Sequence, residues 1–427
     1  MALAYDTLNG RRRVVITGVG ALTPIGIGRH AFWEGLCQGR SGVRRIRSFD
    51  TSPFPCHIGA EVDGFDPGAL MDPRRAAHMA RFSQFAVAAA RLALEDSGLA
   101  AAGFDPERVG TCFGTTIGGG GDVFQREHLR FLRRGVSGVS PFSSSEFTPH
   151  ATTAHVSVEL GLAGPNLTIS SGCGTGLDVV SWGRQQIIAG LAEAVVVGAS
   201  EAPLFEFSFA SFCALRILSE RNDDPEHASR PYDLHRDGIV LGEGAAALVL
   251  EDLDHALDRR APILAEVLAY ASKAEALDVL HVEANGTALA AAIAAALHEA
   301  SLAPSSLDYI NSHGNSDQEY DICETRAFKS ALGAAVYSIP ISSIKSMLGQ
   351  SLAAGGAMQV AATALALYHG VVPPTINYET PDPECDLDYT PNWARRARLR
   401  RALINAHSVG GTHAVLVLGA WPDHGRR

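Results

Sequence analysis

The run Ser170-Ser171-Gly172-Cys173-Gly174-Thr175-Gly176 brings together residue types suited to nucleophilic chemistry. A β-branched segment leads into it and a helical pattern starts just after Cys173. Glycines on both sides allow a tight turn and a close approach of substrate. A thiol at a helix start faces the positive end of the dipole, which favours the thiolate. The free backbone N–H there suits an oxyanion. The plainer alternative is a buried cysteine in a glycine-rich turn. His313 follows the strand-like Asp308–Ser312, and ligand groups collect at the carboxyl ends of α/β strands; a lone histidine is more often a structural one. Lys345, in Ser342-Ser343-Ile344-Lys345-Ser346, reads by itself as a solvated loop lysine. Gly410-Gly411 reads as a hairpin turn or a second backbone donor site.

Short β-branched runs alternating with Ala/Leu-rich stretches must position these groups, which predicts an α/β fold with buried sheets. In the first half the strands are Arg13–Thr17, Val109–Gly114 (running into the glycine cluster Gly118–Gly121), Asn166–Ser170, Ala194–Val197 and Ala245–Leu250. Helices are expected at Ala77–Ser97 and Gly174–Ala189. In the second half the strands are Leu264–Tyr270, Asp308–Ser312, Val336–Ile341, Ala402–Ala406 and His413–Leu418. Its helices are expected at Leu289–Ala300 and Leu348–Tyr368. The repeated element order suggests a duplicated fold divided at Leu257–Pro262, with residues 12–257 and 262–420 packing as one unit. Ser272–Glu283 and Pro373–Asn392 read as surface excursions.

The chain of 427 residues carries 35 basic and 46 acidic side chains, a net charge of −11. That sign argues against a nucleic-acid partner, which needs a basic face. No segment reaches the ~18 apolar residues of a membrane span, and the N-terminus shows no signal-peptide pattern. Seven cysteines without a CxxC pair suggest neither a disulfide framework nor a zinc site, so a reducing cytoplasm is the expected setting and no metal is called for.

Ile169–Leu177, Asn311–Asp321, Ser343–Gly356, Ile404–His413 and the stretch RPYDLHRDGIVLGEGAAALVL from Arg230 to Leu250 together resemble the active-site motifs of β-ketoacyl-acyl carrier protein synthases, in the thiolase superfamily. The stretch VVPPTINYETPDPECDLDYTPN, Val371 to Asn392, is similar to its counterpart in elongating and type II polyketide synthases. The resemblance spans Val14 to Gly419. It implies a duplicated five-layer α-β-α-β-α thiolase fold, an acyl thioester on Cys173, and an oxyanion hole from the N–H groups of Cys173 and Val409. It makes His313 the first active-site histidine, Lys345 its supporting lysine, Glu324 the acidic member of that network and Phe212 an aromatic residue of the acyl pocket. It further implies delivery by the phosphopantetheine arm of an acyl carrier protein, no tightly bound cofactor, and a homodimer, with a heterodimer left open. Arg44-Arg45-Arg47, Arg133-Arg134 and Arg395-Arg396 are candidate basic patches for the acidic carrier.

The chain departs from the family pattern at the centre. The second histidine, which donates to the thioester carbonyl of the malonyl carrier, is Gln350. An amide donates a hydrogen bond but neither becomes a cation nor exchanges a proton near neutrality. The Phe-Gly-Phe-Gly-Gly gating run is His407-Ser408-Val409-Gly410-Gly411, which opens space and adds a titratable ring. Two threonines that hold the pantetheine arm are Asn315 and Asp317, and Asp317 is expected to put a carboxylate near His313 that orients it or raises its pKa. Intact Cys173 beside Gln350 predicts a non-elongating acyltransferase that closes a ring within the loaded chain or passes it on. Three alternatives stand beside it: ordinary decarboxylative elongation, a non-catalytic chain-length-factor-like partner, and a plain cysteine hydrolase.

Overall fold

The computed structural model describes residues 12–118 and 120–421. The reading that the N-terminal opening carries no leader falls outside them, as does Gly119 of the glycine cluster.

The first half contributes strands β1 (Val14–Thr23), β2 (Val109–Gly114), β3 (Asn166–Ile169), β4 (Ala194–Glu201) and β5 (Gly244–Asp252). The second contributes β6 (Ala265–Ala274), β7 (Tyr309–Asn311), β8 (Ile341–Ser342), β9 (Arg401–Ser408) and β10 (Thr412–Gly419). Spatial order is β3-β2-β4-β5-β1 in one half and β8-β7-β9-β10-β6 in the other. In each half the first-named three strands are parallel and the remaining pairings antiparallel. The duplication read from element order is therefore present strand by strand. The strands of the two halves join edge to edge through one short antiparallel pairing, Val15 opposite Glu266 and Ile16 opposite Ala265.

Helices complete five layers. Helices α1 (Arg81–Asp96) and α3 (Ala151–Leu160) cover the outside of the first sheet, and α2 (Gly120–Arg134) follows β2. Helices α6 (Thr287–Glu299) and α7 (Gln318–Leu332) lie on the second half, α6 directly against β6 and β10. Between the sheets lie α4 (Thr175–Ile188) and α8 (Leu352–His369), while α5 (Glu206–Ala214) borders the site. Because both faces of each sheet are covered, the strands read as continuous apolar runs rather than alternating ones. Val195, Val197, Leu248 and Leu250 face the central helices, whereas Ala194, Val196, Ala247 and Val249 face α1 with its Phe82 and Phe85. Helix α8 is buried from Leu352 to Leu367, which explains its Ala/Gly composition. It crosses α4 so closely that a Cβ on Gly176 would stand 2.0 Å from the Ala357 nitrogen. All seven cysteines are free thiols.

Three expectations need correction. Val336–Ile341 is not a strand: residues Gly333–Ser338 form a 3-10 turn, and Pro340, lacking an N–H, leaves only Ile341–Ser342 to pair. Pro373–Asn392 is not a loose surface excursion but a strap pinned to the fold, half of it buried. Its Cys385 and Tyr389 are inside, Tyr389 stacks on Tyr232 at 3.8 Å, and Asp233 accepts the N–H groups of Glu379 and Thr380. The long helix expected from Ala77 begins at Arg81, after a short helix Pro73–Ala76. Helices α2, α3, α5 and α7 add to the sequence reading.

Candidate active site

Cys173 occupies the turn between β3 and α4, and Gln350 the turn between β8 and α8. These are corresponding places in the two halves, and each is preceded by a glycine of positive φ, Gly172 at 77° and Gly349 at 69°. Only one of the glycines flanking Cys173 needs its conformational freedom. Gly174 is helical, with φ −72°. The turn is tied to the β9–β10 hairpin: Ser408 Oγ accepts the N–H of Gly174 at 3.0 Å and donates to the carbonyl of Ser171 at 2.9 Å. Cys173 is 7% exposed. Burial pushes its thiol up to about 11, despite the nearby Lys345 charge that draws it down, and Glu201 adds to the rise. The resting group is thus a thiol, because burial outweighs the helix dipole that would favour the thiolate.

His313 lies just beyond β7. Its Nδ1 accepts the backbone N–H of His407 at 3.2 Å, so the neutral ring carries its proton on Nε2. Burial, then the Lys345 charge and the rings of His407 and His413, hold its pKa well below the usual imidazole value. Lys345 is not a solvated loop lysine. It is buried, and Nζ donates to the His313 carbonyl at 2.7 Å and to Gln359 Oε1 at 3.2 Å, with His313 Nδ1 at 3.5 Å. Burial lowers it to about 8, against the pull of Glu324 and Cys173. Glu324, on α7, takes the N–H groups of His313 at 2.7 Å and Gly314 at 3.0 Å, together with Tyr232 Oη and Asn405 Nδ2. Burial alone would raise this carboxyl; His407, Tyr232 and Asn405 around it hold it below its ordinary value.

A cavity of about 650 Å³ opens onto Cys173, His313, Gln350 and His407, with Phe212 of α5 and Val409 also on its wall. Gln350 Nε2 is 3.6 Å from Cys173 Sγ and 3.5 Å from His313 Nε2. Val409, in the β9–β10 turn, is 50% exposed, so no bulky gate covers the thiol there. Asn315 and Asp317 line the cavity as well. Asp317, however, does not orient His313. Its carboxylate caps α7, accepting the N–H groups of Glu319 at 2.9 Å and Tyr320 at 3.1 Å, and its own N–H goes to Asn315 Oδ1. The structure thus brings together all the site residues expected from the sequence, with Lys345 and Glu324 behind His313. It adds Tyr320 and His281 on the cavity wall and Gln359, Asn405 and Tyr232 in the supporting network. Tyr320 had a local signal, two residues from Gln318 at a capped helix start; the others are assembled by long-range packing.

Of the candidate basic patches, Arg44 and Arg47 pair with Asp63, and Arg395 pairs with Asp388. Among the described residues no helix is long and apolar enough to cross a membrane, and no cluster of three potential metal ligands occurs.

Two family models cover most of the chain: the β-ketoacyl synthase N-terminal domain over residues 11–256 and the C-terminal domain over residues 264–379. The chain belongs to the β-ketoacyl synthase family. It is 44% identical to the tetracenomycin polyketide synthase ketoacyl synthase alpha subunit of Streptomyces glaucescens, over 96% of this chain and 98% of that protein. It is 40% identical to 3-oxoacyl-[acyl-carrier-protein] synthase 2 of Synechocystis sp., over 95% and 97%. Among solved structures, the ishigamide ketosynthase/chain length factor matches with TM-score 0.91 at 33% identity, over 97% of this chain and 100% of that one. A type II polyketide-synthase ketosynthase, solved bound to its acyl carrier protein and a hexaketide, matches with TM-score 0.89 at 35% identity, over 96% and 100%. This β-ketoacyl synthase is accordingly an acyltransferase-type enzyme with the thiolase-like α/β fold.

Proposed function

We propose that this ketosynthase serves polyketide-type biosynthesis, receiving a carrier-bound acyl chain on Cys173 and discharging it without decarboxylating a malonyl extender. Loading exchanges one thioester for another: the Cys173 sulfur bonds to the acyl carbon, the bond to the pantetheine sulfur breaks, and the thiol proton moves to the departing pantetheine. The exchange is neutral overall, which suits a thiol held near 11. The N–H groups of Cys173 and Val409 would stabilise the oxyanion. Discharge follows either by attack of a group within the chain, closing a carbon–carbon bond or a lactone, or by attack of a separate nucleophile.

One observation carries this reading. The side chain set between Cys173 and His313, 3.6 and 3.5 Å away, is the amide of Gln350. It cannot supply the cationic or exchangeable proton that helps carbon dioxide leave. Support for carrier delivery comes from Asn315 and Asp317 along the cavity and from the likeness to a ketosynthase solved with its carrier. The competing reading, decarboxylative elongation, draws on the hydrogen bonds that an amide still donates. The reading as a non-catalytic partner leaves the buried thiol and its network without a use. For the assembly we propose a homodimer, with a heterodimer as the alternative. The exposed apolar face around Phe124, Phe147 and Phe207, beside a groove of about 910 Å³, supports a second chain there.

The test is carbon dioxide release from malonyl-loaded carrier protein in the presence of acylated enzyme. Release at background level is expected. Release matched one-for-one by chains two carbons longer contradicts the proposal.

A further inference from the structure

We propose that His407 is a catalytic base for the discharge step, taking the proton from the carbon acid or hydroxyl of the loaded chain that attacks the Cys173 thioester. This rests on the reading of Cys173 as the acyl acceptor. The ring stands on the wall of the same cavity, its centroid 5.1 Å from that of His313. Neither Nδ1 nor Nε2 of His407 has a hydrogen-bond partner, although the residue is only 1% exposed. Nε2 faces the Glu324 carboxylate, so Nδ1 is the ring nitrogen with nothing opposite it. A phenyl ring, which the family pattern has here, would fill the space without an unpaired nitrogen.

The two imidazoles stand in opposite surroundings. His313 has the Lys345 ammonium 3.5 Å from Nδ1 and offers an N–H from Nε2. His407 has the Glu324 carboxylate 3.7 Å from Nε2, placed to stabilise the imidazolium that forms when the ring takes a proton. A donor beside a cation and an acceptor beside an anion make a complementary acid–base pair. The backbone of His407 is fixed because its N–H binds His313 and its strand pairs with His413. The ring is braced by the edge of His413 at 4.7 Å, itself held at Nε2 by Glu275 at 2.7 Å. With Nε2 toward Glu324, Nδ1 is the nitrogen we assign to the substrate proton.

The step balances without a co-reactant. His407 takes a proton from a CH between two carbonyls, or from a chain hydroxyl, and that carbon or oxygen bonds to the thioester carbon. The carbon–sulfur bond breaks, its electron pair goes to sulfur, and the imidazolium returns the proton to Cys173. The substrate class is an acyl thioester with a β-carbonyl and a hydroxyl or acidic carbon within ring-closing reach.

The experiment follows loading and discharge separately by intact mass spectrometry, using a δ-hydroxy-β-ketoacyl pantetheine thioester as probe and Cys173→Ala as background. His407→Phe keeps the ring shape and His407→Gln keeps a polar side chain. Both variants are expected to acquire the Cys173 adduct as the native enzyme does and to discharge it about 100-fold more slowly. Discharge within threefold of native in either folded variant overturns the role of His407 alone. Failure of the native enzyme to form any adduct overturns the Cys173 reading and this one with it.

Discussion

Cys173 stands out in the sequence because local chemistry marks it, a glycine-flanked thiol before a helix; His313 has the weaker mark of a strand end, and Lys345, which reads alone as a solvated lysine, is picked out only by the family resemblance. Their protonation states were not legible there, since burial sets them. Dipole and turn favour a thiolate at Cys173, yet desolvation wins and lifts the thiol to about 11. A raised acid constant keeps the neutral form to higher pH. At pH 7 the thiolate is the minor form. Iodoacetamide labelling of Cys173 in the unloaded enzyme should therefore quicken about tenfold per pH unit from 7 to 10. A rate already level below pH 8 would show the dipole to dominate. Gln350 makes the second prediction at this scale. Gln350→His puts a proton-exchanging ring in place of the amide that stands 3.6 Å from the thiol, and should raise carbon dioxide release from malonyl carrier by about 10²; an unchanged rate would mean that the amide is not what limits decarboxylation.

At the level of elements, strands and central helices followed their residue patterns, since buried parallel sheets demand continuous apolar runs. The pattern misled where tertiary contacts decide. Val336 to Ile341 has β-branched residues enough for a strand, but Pro340 cuts the pairing to Ile341–Ser342. The Pro373–Asn392 strap is polar enough to read as surface, yet Asp233 and Tyr232 pin it to the fold. Gly176 illustrates the opposite case, a glycine whose role only packing reveals. It sits where α4 meets α8, and a Cβ would meet backbone, which cannot step aside. Gly176→Ala should lower unfolding stability by about 1–3 kcal/mol in urea titration, from overpacking. It should also disturb acylation, because the same helix begins beside Cys173. A loss below 0.5 kcal/mol would contradict so tight a crossing.

For the whole molecule, the identical strand order of the two halves has no literal sequence repeat behind it, because many apolar sequences satisfy the same buried positions. The duplication nevertheless has a chemical consequence. It places Cys173 and Gln350 at matching turns and sets them against each other across one cavity. At the same scale stand the exposed Phe124 at 63% and Phe207 at 70%, which border the groove proposed to receive a second chain. Phe124→Asp with Phe207→Asp should shift the proposed dimer to monomer in sedimentation without loss of circular dichroism signal. A double variant that stays dimeric would place the interface elsewhere.

Acyl transfer to one buried sulfur, with no carbon gained, is tested most directly by intact mass spectrometry of the enzyme after incubation with acyl-loaded carrier protein, alongside carbon counting of the released product. The expected result is an acyl mass on Cys173, absent in Cys173→Ala, and a product with the carbon number of the chain supplied. An enzyme that never gains mass, or a product two carbons longer, would contradict it.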